Sequence, residues 1–466
     1  MDKEERSLQR MTRRDMLKLS GLAIAGGVLV GCGAAPAATS VPQATKVPEA
    51  TKVAPTAAPV TGNVVLMFKR AELSEEQQAQ FQAANPGITV EFIEDDQQRL
   101  FSMYAAGTPP DVWRTQGPDI PQNLARNLLY DLTPYFQASA VLKMDDLASA
   151  NQYYMASSPT EIGKGKIYGM CKDWSPDFTL FAYTPAFEEA GVQLPADTAS
   201  LTYAQVMELA GQLTKKEGDR ILRWGYGYGD WWTDRIWMNM LNEVGQKLYS
   251  EDFKKMTLVG NADATAIAQY YFELAQKNYV ANPVNPSPSW PGDDFTKGLV
   301  AVIQYGYWFS GMAESDVTSG KVIMLPAPTW AGKRLDPTIT ATGMVVSAPT
   351  KVADAAWRLF EWYNGKEPAV ARAGSGWGVP ALKSMFNLMP STTEFNKQCQ
   401  RVLQAELALA TPPLQFNPYL AGSTAANTWG LYLAQALNGQ ITFDQLLSSV
   451  ETDVNTAIQE GVDRIG

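Results

Sequence analysis

Between residues 63 and 114 the hydrophobic period of the chain switches from two residues to about 3.6 and back, twice over. NVVLMFKR (63–70) is an apolar run of strand length. In SEEQQAQFQAANPG (74–87), Ser74 can cap a helix with Gln77 reaching back to it, and Asn85-Pro86-Gly87 stops that helix. ITVEFIE (88–94) alternates as a strand, a helix runs through QRLFSMYAAG, and TPPDVWR (108–114) begins another strand. This β-α-β-α-β order predicts an α/β fold built on a parallel sheet with helices on both faces.

The pattern continues. TYAQVMELAGQL (202–213) puts Val206, Leu209, Ala210 and Leu213 on one helical face. LVAVIQYG (299–306) and GMVVSAP (343–349) read as short buried strands, and from residue 353 the chain reads as mainly helical. About 400 ordered residues exceed one ordinary core, so two doubly wound α/β lobes are expected. Trp357 and Trp362 fall at core spacing on ADAAWRLFEWY (353–363) and are packing residues, as are Met324 and Met344.

The N-terminus reads as an address. TRRDMLKLS (12–20) resembles a twin-arginine export signal, with Met16 where a phenylalanine is usual. The apolar run GLAIAGGVLVG (21–31) is too short and glycine-rich for a comfortable membrane span. It ends in LVGC (29–32), which resembles a bacterial lipobox, making residues 1–31 a lipoprotein signal peptide and Cys32 the lipidated residue. Residues 32–62, rich in Ala, Pro, Thr and Val and without aromatics, cannot form a core and are expected to be a disordered, lipid-anchored linker. The body would then work on the extracytoplasmic face of a bacterial cell membrane.

Composition removes several chemistries. The chain has no histidine, which excludes Ser-His-Asp and Cys-His nucleophiles, imidazole zinc sites and histidine switches. Its net charge is −10, and the body carries no basic stripe, so nucleic acid is not an expected partner. Beyond Cys32 there are two cysteines, Cys171 and Cys399, which exported proteins can pair or leave as buried thiols.

Several segments, in order, resemble the extracellular solute-binding proteins of carbohydrate ABC transporters, of the maltose-binding-protein-like type. They are FQAANPGITVEF (81–92), GTPPDVW (107–113), GKIYGM (165–170) and FAYTPAFEEAGV (181–192), then LTYAQVMELAGQLTK (201–215) and FTKGLVAVIQYGYW (295–308). GMVVSAPTKVADAAWRLFEWY (343–363) and GSGWGVPA (374–381) complete the series. Met170 replaces a usual proline, and Thr184 a usual asparagine. The resemblance implies a type II periplasmic-binding-protein-like fold whose two lobes close on a ligand through a multi-strand hinge. It places lobe 1 at 63–175 plus 340–390 and lobe 2 at 176–339 plus 391–466. It also implies a sugar ligand, delivery to permease subunits in the membrane, and a monomer. No catalytic set, cofactor or metal is expected.

Sugar recognition needs flat aromatic platforms for the C–H faces of the rings and mixed donors and acceptors for the hydroxyls. Thirteen tryptophans are available. In GYGYGDWWTDRIW (225–237), Trp231 and Trp232 are adjacent, so one should pack inward and the other face a cleft, with Asp230 and Asp234 near hydroxyls. Gly225, Gly227 and Gly229 leave one face without bulk, for a ligand or a neighbouring backbone. Trp308, just after an apolar strand, stands where the resembled family often stacks a sugar; Trp377 sits among small residues, and Trp290 lies between prolines. Asp173 and Trp174 fall at the first implied crossing between lobes, and Trp429 opens a C-terminal helix where the family can place an aromatic wall. At the strand ends of lobe 1, Arg70 and Asp96 are candidate hydroxyl ligands, whereas Asp111 reads as a turn residue. Two other readings stay open: the same fold holding a polyamine or a peptide, and a surface glycoside-active enzyme. The enzyme needs two carboxylates flanking a sugar, and Asp230 and Asp234 are too local to serve as that pair.

Overall fold

The computed structural model describes residues 59–409 and 411–465. The expected signal peptide, Cys32 and nearly all of the linker lie outside the described residues. No helix among the described residues is long and apolar enough to cross a membrane.

Strands follow the chain as β1 (Gly62–Phe68), β2 (Ile88–Glu94), β3 (Val112–Gln116), β4 (Met155–Ser158), β5 (Glu161–Ile167), β6 (Gly169–Cys171) and β7 (Asp173–Trp174). Then come β8 (Leu180–Tyr183), β9 (Lys215–Glu217), β10 (Arg220–Tyr228), β11 (Val300–Gln304), β12 (Val322–Leu325), β13 (Thr342–Val346) and β14 (Val379–Pro380). One five-stranded sheet has the order β2-β1-β3-β13-β6 and a second the order β12-β8-β11-β10-β9. The helix Glu75–Ala84 begins with the capping box that Ser74 and Gln77 predict. Asp111 accepts from Val65 N at 2.9 Å and Thr350 Oγ1 at 2.6 Å, which fixes the turn into β3.

The sheets are mixed rather than parallel. β1 runs parallel to β2 and β3, and β10 to β11, as the alternating order demands. β13 instead runs antiparallel to β3 and β6, and β8 antiparallel to β11 and β12. The reason is chain path. β8 is the first strand laid down when the chain passes from one sheet to the other, and β13 the first when it returns. Neither is reached through a βαβ crossover within its own sheet, so nothing imposes the parallel direction on it.

Each sheet is covered by helices whose apolar faces match their sequence period. Ala353–Gly365 packs on β1 and β13, with Trp362 against Phe81 at 5.2 Å. Trp357 and Trp362 are buried, as are Met324 and Met344. Tyr203–Leu213 packs on β10, where Gly225 is required: a Cβ there would stand 1.8 Å from the Ala210 carbonyl oxygen. The space at Gly225 is therefore taken by a neighbouring helix. Glu394–Leu407 covers β12. Cys171 and Cys399 are both buried free thiols, so no disulfide joins them.

The chain passes between the sheets between β6 and β8, between β12 and β13, and between β14 and the helix Glu394–Leu407. Buried Asp177 ties the first two passages. Its Oδ2 accepts from Ile339 N (2.7 Å), Thr338 Oγ1 (3.0 Å), Thr340 N (3.1 Å) and Thr340 Oγ1 (2.9 Å), and its Oδ1 from Ser175 Oγ (2.8 Å). In the third passage β14 pairs antiparallel with β7.

Candidate functional site

The parallel strands of both sheets end at one cavity of about 740 Å³, the position expected for ligand in open α/β sheets. Its lining divides by chemistry. One wall is charged and polar: Lys69 and Glu72 just after β1, Arg114 and Gln116 on β3, Lys172 and Asp173 around β7, and Arg372. The other is aromatic, with Trp231, Trp232, Trp290 and Trp308; Trp174 and Trp377 complete six tryptophans around one space.

Local structure explains how each tryptophan gets there. After β10 the chain makes a single 3₁₀ turn, Asp230–Trp232, which turns both indoles toward the cavity instead of splitting them between core and cleft. They meet edge to face at 5.2 Å, and Trp232 also leans on buried Tyr305 at 6.2 Å. Its ring fills the space beside Gly229, where a Cβ would lie 2.6 Å from it. After β11 a second 3₁₀ turn, Tyr307–Gly311, presents Trp308, stacked near Trp290 at 6.3 Å and tilted toward Trp377 at 6.0 Å. Trp308 Nε1–H has no partner among the described residues. Along the helix Glu367–Ser375, Pro368, Ala371, Arg372 and Ser375 share one face and line the cavity. Gly376, at φ 75°, ends that helix in the left-handed region and releases Trp377, which is 43% exposed.

The polar wall is an ion network. Glu72 accepts two hydrogen bonds from Arg114, at 2.9 Å from Nε and 3.2 Å from Nη2, and lies 3.7 Å from Lys172. Arg114 also reaches Asp95 at 3.6 Å, and Lys172 donates to Asp173. Burial alone would push the Glu72 carboxyl up, but Lys172 and Arg114 outweigh it and hold the group below the usual carboxylate range. Burial would likewise lower Lys172, and Asp173 and Glu72 reverse that. Glu72, Lys172 and Arg114 are therefore held in their charged forms.

Of the candidates read from sequence, the cavity gathers Asp173, Trp174, Trp231, Trp232, Trp290, Trp308 and Trp377. It leaves out four. The Arg70 guanidinium stacks 3.4 Å over Phe92 and bonds Gln78, since Lys69, one residue earlier, takes the inward direction after β1. Asp96 caps the helix Gln97–Ala105 through Arg99 N at 2.9 Å. Trp429 is buried edge to face against Trp237 at 4.8 Å. Asp230 lines an adjoining pocket of about 440 Å³, which shares Trp231 and Trp290 with the main cavity. Asp234 is buried, and burial pushes its carboxyl up to about 6. Lys172, Glu72 and Arg372 carry no local sequence signal; only the fold brings them together. Among the described residues no cluster of His, Cys, Asp and Glu is arranged to hold a metal ion.

A second space, of about 360 Å³, lies behind the passages between the sheets and is lined by Tyr153, Trp174, Asp336 and Glu406, among others. Asp336 Oδ1 accepts from Phe178 N at 2.8 Å, while its Oδ2 has no partner among the described residues. Arg334 Nη1 stands 3.1 Å from Glu406 Oε1 without hydrogen-bond alignment. Burial, then the Glu406 charge, push Asp336 well above the usual carboxylate range, and burial also raises Glu406.

Comparison with known proteins agrees with this geometry. Residues 69–370 match the family described as bacterial extracellular solute-binding protein. Among solved structures, an ABC substrate-binding protein from Listeria monocytogenes in complex with cycloalternan superposes with a TM-score of 0.70 at 19% identity, covering 86% of this chain and 99% of that one. A solute-binding protein from Agrobacterium vitis with bound D-mannitol gives 0.66 at 17% identity, covering 85% and 98%. The sugar-binding protein MalE from Xanthomonas citri gives 0.65 at 16% identity, covering 86% and 98%. A search among curated proteins finds no match.

Proposed function

The chain belongs to the bacterial extracellular solute-binding proteins, and from that premise we propose that it is the substrate-binding lipoprotein of an ABC importer for a di- or oligosaccharide. One observation carries the reading: six tryptophans and a charged, hydrogen-bonding wall face each other across about 740 Å³, at the strand ends of two separate sheets. Flat indoles suit the apolar faces of sugar rings, and carboxylates, guanidinium groups and Gln116 suit hydroxyls. The solved neighbours from Listeria monocytogenes and Agrobacterium vitis named above hold cycloalternan and D-mannitol, which favours a carbohydrate here. The adjoining pocket behind Trp231 and Trp290 favours a cargo longer than one ring.

On this reading the lobes are 63–175 with 340–390 and 176–339 with 391–466. Ligand docks on one, the other swings closed, and contacts from both exist only in the closed state. The closed form is what the membrane permease recognises. The protein is a binder and not an enzyme, and it is held as a monomer at the outer face of the membrane by lipid on Cys32. Asp173, Trp174, Trp231, Trp232, Trp290, Trp308 and Trp377 make the ligand contacts, joined by Lys69, Glu72, Arg114, Gln116, Lys172 and Arg372.

Thermal-shift screening against mono-, di- and oligosaccharides tests the proposal. A saturable rise in Tm with at least one saccharide is expected. No rise with any sugar, together with a rise for spermidine or a peptide, would replace the ligand class; steady release of a cleaved product would replace the binder by an enzyme.

A further inference from the structure

The charge of the cavity does not match that of the protein. The chain has a net charge of −10, yet the cavity is lined by four cations, Lys69, Arg114, Lys172 and Arg372, against two carboxylates, Glu72 and Asp173. Two of the cations are neutralised: Arg114 by Glu72 and Asp95, Lys172 by Asp173 and Glu72. Lys69 and Arg372 have no ion-pair partner among the described residues. Arg372 gives one hydrogen bond, from Nη2 to the Tyr363 carbonyl at 3.0 Å, and lies 4.2 Å over the Tyr363 ring. Its Nε and Nη1 are buried and have no hydrogen-bond partner among the described residues.

Hydroxyls of a neutral sugar would use most of this wall but leave Lys69 and Arg372 unmatched. Hydroxyls need acceptors as well as donors, and the two unpaired cations supply donors alone. Arg372 Nε and Nη1 are already buried without a partner among the described residues, and a neutral ligand closing over Lys69 leaves it only the non-contacting carboxylates of Glu72 and Asp95, which is costly unless something compensates the two cations. A ligand carboxylate does so, and the planar guanidinium fork matches a carboxylate in shape.

Resting on the carbohydrate reading above, we infer that the cargo is an acidic saccharide. A uronic acid carboxylate meets Arg372 within the field of Lys69, while the apolar faces of its rings lie on the tryptophans. The anionic protein surface then slows capture of such a ligand at low salt, and the cavity retains it by local charge.

Titration calorimetry on the wild-type protein tests this with matched pairs: oligogalacturonate, oligomannuronate and a glucuronate-bearing xylo-oligosaccharide, each against its methyl ester. At least one acid should bind about tenfold more tightly than its own ester, the scale of one charged hydrogen-bonded contact. That ratio should shrink as NaCl is raised, and should narrow in Arg372→Gln and in Lys69→Gln, the latter at an exposed position where folding is not at stake. Acids and esters of equal affinity would overturn the inference, as would an acid preference that neither variant narrows. Binding of neutral oligosaccharides alone would overturn it and leave the carbohydrate reading standing. Binding of no saccharide at all would remove both.

Discussion

Replacing Glu72 by Gln removes the charge at the centre of the polar wall while keeping its shape. In the folded protein this carboxylate accepts from Arg114 at 2.9 and 3.2 Å and lies 3.7 Å from Lys172, whose side chain is 2% exposed. Breaking a buried ion pair outright costs about 3–5 kcal/mol. Here each cation keeps a second carboxylate, Asp95 for Arg114 and Asp173 for Lys172, so the expected cost falls to about 2–3 kcal/mol. The effect has a pH signature. The folded Glu72 titrates below its ordinary value, so its stabilisation is fully present above the unfolded pKa and is lost as pH falls through the folded one. Urea unfolding followed by tryptophan fluorescence should give a wild-type advantage over E72Q that is constant from neutral pH down to about pH 5 and shrinks toward pH 3. Urea is preferred because guanidinium would screen the charges. An advantage below about 0.5 kcal/mol, or one independent of pH, would refute the account of this network.

Two further perturbations separate the cavity from the core and probe the crossing region. Trp429→Ala should destabilise by about 3–5 kcal/mol, because it empties a buried site against Trp237, yet leave saccharide affinity within about twofold. Trp308→Ala should do the reverse, lowering affinity at least tenfold, read by calorimetry, at smaller cost to Tm. Asp336 is raised by burial and by Glu406, so the folded state holds its proton over a range where the unfolded chain has lost it. Its contribution is therefore full at acid pH and fades as pH rises. Asp336→Asn should flatten that decline in a Tm-versus-pH series, and an unchanged slope would remove Asp336 as its source.

The first sheet was legible because its signals are local: the Ser74–Gln77 capping box, the Asn85-Pro86-Gly87 stop and the alternation of ITVEFIE each act over a few residues. Strand direction was legible only where a βαβ unit enforced it. β8 and β13 follow passages between the sheets, and no local pattern records which way such a strand will run. The aromatic half of the cavity showed through because tryptophans just past strand ends or beside glycine have little core to enter, as with Trp232, Trp308 and Trp377. Trp429 offered the same residue type on a helix interior, and there the core took it. Of the polar half only Asp173 was singled out, since Lys69, Arg114, Lys172 and Arg372 come from four distant segments and each alone is an ordinary charge. Choosing Arg70 over Lys69 needed a one-residue phase that the sequence does not carry.

The central claim is that one saccharide is enclosed between the aromatic and the polar walls. Intrinsic fluorescence measures this directly, because six of the thirteen tryptophans border the cavity. Titration of the wild-type protein with an oligosaccharide series should give a saturable 1:1 change in emission as indoles lose water. The change should be abolished or shifted to much higher concentration both in Trp308→Ala and in Arg114→Gln, which alter opposite walls. A saturable change that survives either substitution at full affinity, or no change with any saccharide, would contradict it.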